Sequence, residues 1–193
     1  MRIRAILVAA ATMALVAGIL VATVGPAAAG GCTIVGTASD DVLRGTAHDD
    51  VICGLGGNDR IRGRNGDDVL RGGPGDDLLF GGRGSDLLAG GDDNDSMYPG
   101  RGSDVSRGGN GRDYSGFSSE GDDLWFGGVG RDFLTDFEGN DVLKGGDGGE
   151  QCIATIDQEG GDTIDGGAGH DLYDADAGDT VSNVEEQLTC YAD

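Results

Sequence analysis

Residues 63–89 read GRNGDDVLR, GGPGDDLLF and GGRGSDLLA, three nine-residue copies laid end to end. In each copy the first and fourth residues are Gly, the sixth is Asp and the eighth is Leu. The phase continues outward in both directions. Upstream stand GTASDDVLR from Gly36, GTAHDDVIC from Gly45 and GLGGNDRIR from Gly54. Downstream come GGDDNDSMY and PGRGSDVSR, then GGNGRDYSG followed by an extra Phe117, then SSEGDDLWF, GGVGRDFLT, DFEGNDVLK and GGDGGEQCI. After a three-residue insertion, Ala154 to Ile156, the copies DQEGGDTID and GGAGHDLYD and a degenerate GDTVSNVEE complete the series. A period held over about sixteen copies sets the organisation before any strand or helix is assigned.

Each preference has a physical reason. Glycine lets a tight turn take positive φ and lets another backbone approach closely. The large apolar residue at position eight, such as Leu43, Ile52, Leu70, Leu79, Leu88, Trp125, Leu134 and Tyr173, faces inward from a short strand. One such unit cannot bury its own side chain. Stacked units bury a thin apolar column and pair each strand with the next, so the fold needs many copies.

Composition says that apolar burial alone does not suffice. The 193 residues include 40 Gly, only 5% are aromatic, and the formal net charge is −22. Such a chain is either disordered or completed by counter-charge, and the strict phase favours the second. The acidic balance argues against nucleic acid, since phosphate binding needs a basic face and the Lys and Arg residues are scattered singly along the chain. Position nine carries Arg44, Arg62, Arg71 and Arg107 mixed with other types, a row too broken to name a ligand.

The pattern resembles the RTX family of hemolysin-type calcium-binding repeats, G-G-x-G-x-D-x-U-x, matched by GGPGDDLLF and GGVGRDFLT. The resemblance covers about residues 36–182. It implies an all-β fold, a calcium-stabilised parallel β-roll in which two repeats make one turn and multiple calcium ions sit between loops on the same side. It further implies that the sixth-position carboxylates, with backbone carbonyls of the Gly-rich loops, form all-oxygen shells. Those carboxylates are Asp41, Asp50, Asp59, Asp68, Asp77, Asp86, Asp95, Asp104, Asp113, Asp123, Asp132, Asp141, Asp162 and Asp171, with Glu150 the departure. Partners then lie two copies apart, Asp59 with Asp77 and Asp50 with Asp68. Hard oxygen donors in irregular loops suit calcium better than magnesium. Without the ion, facing carboxylates repel, so binding contributes much of the folding free energy.

Met1 to Ala29 has the pattern of a signal peptide: Arg2 and Arg4, an apolar run from Ala5 to Val24, then Pro26 and the Ala27-x-Ala29 cleavage arrangement. The expected product is secreted and extracellular, with no membrane insertion after cleavage. The expected division is a leader at 1–29, an N-terminal cap at 30–35, the β-roll at 36–182 and a C-terminal cap at 183–193. A seam at 99–120 is expected to be weak, because Pro99 replaces the first Gly, Ser106 and Ser115 replace the apolar residue, and Phe117 breaks the period. Four cysteines in an exported chain are expected to pair locally, Cys32 with Cys53 and Cys152 with Cys190.

Enzyme chemistry finds no anchor. His48 and His170 are isolated loop residues, and no H-E-x-x-H, G-x-S-x-G or G-x-G-x-x-G occurs. Acidic pairs such as Asp67-Asp68 and Asp122-Asp123 recur, whereas a catalytic pair is singular. The functional expectation is a calcium-binding extracellular module acting as spacer, surface component or buffer. The alternative is a calcium-dependent adhesin or binding module that uses a flat face of the roll for a cell-surface or matrix partner.

Overall fold

The computed structural model describes residues 31–116, 120–136, 138–148, 152–155, 161–175, 177–184 and 186–187. The expected leader at 1–29, Phe117, Glu150 and Cys190 lie outside them. Two parallel nine-stranded sheets face each other. The first contains β1 (Ile34–Val35), β3 (Val51–Cys53), β5 (Val69–Pro74), β7 (Leu87–Asp92), β9 (Val105–Gly111), β11 (Leu124–Gly130), β13 (Val142–Asp147), β15 (Thr163–Ala168) and β17 (Thr180–Ser182). The second contains β2 (Val42–Arg44), β4 (Arg60–Asn65), β6 (Leu78–Arg83), β8 (Ser96–Arg101), β10 (Tyr114–Ser115), β12 (Phe133–Asp136), β14 (Cys152–Thr155), β16 (Leu172–Asp174) and β18 (Glu186–Gln187). Successive strands alternate between sheets, so the expected parallel roll, two repeats per coil, is what the chain forms. Nine strands at the usual spacing make a rod about 40 Å long.

A full strand runs from position seven of one repeat to position three of the next, and positions four to six make the turn, as Val69–Pro74 and Leu78–Arg83 show. Gly75 in that turn has φ +124°, a left-handed value that side chains rarely adopt. Alternation along the strand then points positions six, eight and one inward. Leu43, Ile52, Ile61, Leu70, Leu79, Leu88, Met97, Trp125, Leu134, Leu143, Ile153 and Ile164 form the buried apolar column. Complete burial of a Leu or Ile is worth about 1.5–3 kcal/mol, so the column is a major source of cohesion. Where position one is Gly, the carboxylate of the same repeat lies against it: a Cβ on Gly72 would stand 2.1 Å from Asp77 Oδ2.

Sheet pairing joins residues eighteen apart through the regular part, as in Leu70 beside Leu88. The spacing becomes nineteen between β9 and β11, Val105 beside Leu124, where Phe117 lengthens the period. Near the C-terminal end the structure corrects the nine-residue count. Cys152 lies beside Phe133 and Ile153 beside Leu134, so Cys152 takes the outward seventh position and Ile153 the inward eighth. The expected Cys32–Cys53 disulfide is present and anchors the residues before β1 to β3. The Cys152–Cys190 expectation falls on Cys190, outside the described residues.

Candidate metal centre

Each turn ends by presenting a sixth-position Asp inward from the first residue before a strand, and stacking arranges these side chains in two columns, one along each edge of the roll. Asp50, Asp68, Asp86, Asp104, Asp123, Asp141 and Asp162 form one; Asp41, Asp59, Asp77, Asp95, Asp113 and Asp132 form the other. Within a column the backbone N–H of one Asp donates to Oδ1 of the Asp in the next coil, at 2.7–2.9 Å. The ladder survives the irregular spacings: Asp104 to Asp123 spans nineteen residues and Asp141 to Asp162 spans twenty-one. Asp171 is likewise fully buried in its own coil.

The ladder extends one step further than the repeat count indicates. Asp162 N–H donates to Asp179 Oδ1 at 3.2 Å, and Thr155 donates its hydroxyl to Asp179 Oδ2 at 2.9 Å. Counting GDTVSNVEE as a copy puts Asp179 at position two. The readable signal was the likeness of Asp179-Thr180-Val181 to Asp162-Thr163-Ile164.

The second carboxylate oxygen divides the columns into two kinds. At the N-terminal end Asp50 Oδ2 accepts from the Thr46 N–H and hydroxyl at 2.7 and 2.9 Å, and Thr37 serves Asp41 in the same way. In the repeats of Asp59 and Asp68 that Thr is replaced by Leu55 and Arg64, and in those of Asp77, Asp86, Asp95, Asp104, Asp113 and Asp132 by Gly. Oδ2 of Asp59, Asp68, Asp77, Asp86, Asp95, Asp104, Asp113 and Asp132 is buried with no hydrogen-bond partner. A buried unsatisfied carboxylate oxygen is costly, and rows of them ask for a cation.

Electrostatics agree. Burial pushes the Asp95 carboxyl up to about 8; the Asp77 N–H pulls against this, and the charges of Asp113 and Asp77 add to it. Burial likewise raises Asp104 and Asp141 to about 7 and Asp59, Asp77, Asp86 and Asp113 to about 6. The loops add neutral oxygens. A Cβ on Gly75 would meet the carbonyl oxygen of Gly57 in the preceding coil at 2.3 Å, and one on Gly84 that of Gly66 at 2.2 Å, so loop carbonyls are stacked against the next loop along the axis. Carboxylate and carbonyl oxygen, without thiolate or imidazole, is the donor set of a hard divalent cation such as calcium.

One coil adds a carboxylate to the ladder from another repeat position. Position one of DFEGNDVLK is Asp136 rather than Gly, and its carboxylate comes within 4.8 Å of those of Asp123 and Asp141. Trp125 donates Nε1–H to Asp136 Oδ2 at 2.9 Å. This buried triad was not singled out from the sequence, because it needs a position-one side chain to face the sixth position across a turn.

A second feature corrects the view that the basic residues are scattered singly. β2, β4, β6 and β8 contain no Asp or Glu but hold Arg44, Arg60, Arg62 and Arg64 at outward positions of one sheet, with the exposed Arg83 and Arg101 at the ends of its strands. Position nine alone could not show this, since the group is assembled from positions seven and nine of alternate repeats and positions two and three of the repeats that follow them.

Comparison with known families agrees with this geometry. The profile of RTX calcium-binding nonapeptide repeats matches residues 33–61, 54–88, 71–106, 80–114, 117–149 and 156–181, most of the chain. No curated protein matches it.

Proposed function

Because the chain belongs to the family of RTX calcium-binding nonapeptide repeats, a calcium-binding parallel β-roll, we propose that it works as a secreted, non-enzymatic module whose folding is gated by extracellular calcium and whose folded form is a stiff spacer. The observation that carries this reading is the buried Oδ2 atoms without hydrogen-bond partners at Asp59, Asp68, Asp77, Asp86, Asp95, Asp104, Asp113 and Asp132. When bound, calcium supplies the positive charge that the columns lack. The chain's own residues do the rest. The Asp N–H to Oδ1 ladder sets each carboxylate at a fixed height, the position-one glycines leave room for it, and loop carbonyls complete an oxygen lining. Extracellular modules commonly bind calcium at about 10⁻⁴ to 10⁻³ M, so the chain would stay unfolded in the cytosol and fold after export. The Met1–Ala29 pattern supports that route.

The test is circular dichroism of the purified chain. β-signal should vanish on chelation and return with calcium at about millimolar concentration, but not with equal magnesium. A spectrum indifferent to chelator overturns the reading. A second reading, a ligand-binding module that uses a flat face, is supported by the arginines gathered on β2, β4, β6 and β8.

A further inference from the structure

We propose that the outer face of the β2–β4–β6–β8 sheet is a docking surface for a linear anionic polysaccharide lying along the rod axis. This rests on the calcium-folded roll, because only stacking brings the six arginines together.

The face is unusual for its chain. A protein of net charge −22 carries here four adjacent strands with no acidic residue and six arginines. None of Arg44, Arg60, Arg62, Arg64 and Arg83 is ion-paired among the described residues; Arg101 reaches Glu120 at 3.6 Å, both side chains more than half exposed. The arginines run along the axis, Arg44 beside Arg62 and Arg83 beside Arg101, one strand spacing apart. Guanidinium is planar, weakly hydrated and able to hold carboxylate or sulfate with two hydrogen bonds.

The same face holds an aromatic stripe. Phe80 stacks on Tyr98 with centroids 5.0 Å apart, Tyr98 meets Tyr114 at 6.1 Å, and Tyr114 stacks on Phe133 at 5.4 Å. Arg60 and Arg62 lie over the Phe80 ring at 5.0 and 5.2 Å, which fixes their guanidinium planes and leaves N–H edges for a ligand.

These details select the occupant. The rings cover one another's faces, with interplanar angles of 14° for Phe80–Tyr98 and 5° for Tyr114–Phe133, so single-stranded nucleic acid finds little stacking platform. Exposed acids flank the face along both edges of the roll, among them Asp40 and Asp76 on one and Asp49 and Asp67 on the other. A broad anionic bilayer would meet those edges within a Debye length of about 8 Å, whereas a single thin chain lies between them. At the far end of the stripe an open depression of ≈ 330 Å³, lined by Arg112, Asp113, Tyr114 and Phe133, offers room for a ring.

The experiment uses the full chain in saturating calcium, with dextran sulfate as the probe, neutral dextran as its uncharged counterpart and phosphatidylglycerol vesicles as the membrane arm. Circular dichroism and calcium uptake are recorded on the same samples. The triple variant Arg44→Gln, Arg64→Gln, Arg83→Gln removes exposed groups and should weaken dextran sulfate binding about tenfold with calcium uptake unchanged. The triple variant Arg71→Gln, Arg107→Gln, Lys144→Gln removes equal charge from the opposite sheet and should change affinity less than about twofold. Equal loss in both triples, binding that persists after chelation, or tighter binding to vesicles than to dextran sulfate overturns the proposal. A roll that folds with calcium but ignores dextran sulfate sinks this inference alone; absence of calcium-induced β-signal sinks the function on which it rests.

Discussion

The repeats from Gly54 to Tyr98 and those from Asp104 to Leu143 solve the same packing problem in two ways. In the first block every inward eighth position is a large aliphatic or Met side chain, from Ile61 through Leu70, Leu79 and Leu88 to Met97, and neighbouring coils are offset by eighteen residues. In the second, Ser106 and Ser115 are fully buried where an apolar residue belongs, Trp125 stands beside Ser106 in the sheet, and the offset is nineteen between β9 and β11 and between β10 and β12 before it returns to eighteen between β11 and β13. Trp125, fully buried beside Ser106, brings to that coil the apolar bulk that Ser106 lacks. Ser115 instead pairs with Thr135: its Oγ accepts from the Thr135 N–H, and the Thr135 hydroxyl donates to the Ser115 carbonyl. The carboxylate ladder runs through both blocks without a missing rung. Apolar volume is thus exchangeable between coils, while the Asp N–H to Oδ1 contact is not.

Removal of calcium tests whether the ladder governs both blocks alike, and it should have the largest effect. Chelated protein at pH 8 is expected to lose the β-signal of the whole roll. The buried carboxyls have folded-state values of about 6 to 8, above the ordinary 3.8. Their protonation therefore favours the folded state fully below about pH 4, and that contribution disappears as pH rises through about 6 to 8. Acidifying the chelated protein should restore β-signal, and hydrogen exchange should show protection appearing first around Asp95 and Asp104, the junction of the blocks. A chelated chain equally disordered at pH 8 and pH 4.5 would show that burial of these carboxylates is not the controlling term.

Truncating one inward residue in each block sharpens the contrast. Trp125→Ala should cost about 3–5 kcal/mol, and Leu79→Ala about 2–5 kcal/mol, in urea unfolding at saturating calcium. The Trp125 loss should fall at the high end because Asp136 also loses its Nε1–H donor. If Trp125→Ala proves milder than Leu79→Ala, the exchange of volume between Ser106 and Trp125 is wrong.

Ion stoichiometry comes next. Asp77 accepts from Asp59 and donates to Asp95, so Asp77→Ala should disturb binding on both sides of its coil, seen as the loss of about two ions by calorimetric titration. Asp174→Ala, outside the ladder, should leave the count unchanged. Equal losses in the two variants would refute the register.

The smallest expected effect is local. Trypsin in saturating calcium should cut first at Arg101, Arg107 or Arg112, where buried serines and the changed offset reduce local cohesion, and later at Arg62, Arg71 or Arg83 in the regular block. First cleavage in the regular block would mean that Trp125 compensates fully for the two serines.

What the sequence by itself determined was everything that depends on phase. A nine-residue period with Gly at one and four, Asp at six and an apolar residue at eight determined a stack of short strands with an inward apolar column, because each position repeats the same short-range geometry, and the resemblance those copies carry implied the parallel roll and its carboxylates paired eighteen residues apart. The tertiary structure alone decided what depends on contacts across coils and on small departures from phase. Cys152 and Ile153 exchange inward and outward places because the extra residue is taken up before β14, and Asp179 joins the ladder because strand pairing, not residue count, sets its height. Asp41 and Asp50 differ from later members because Thr37 and Thr46 occupy their second oxygen. The arginine face required the two-repeat coil, since residues at different repeat positions become neighbours only when every second copy falls on the same sheet.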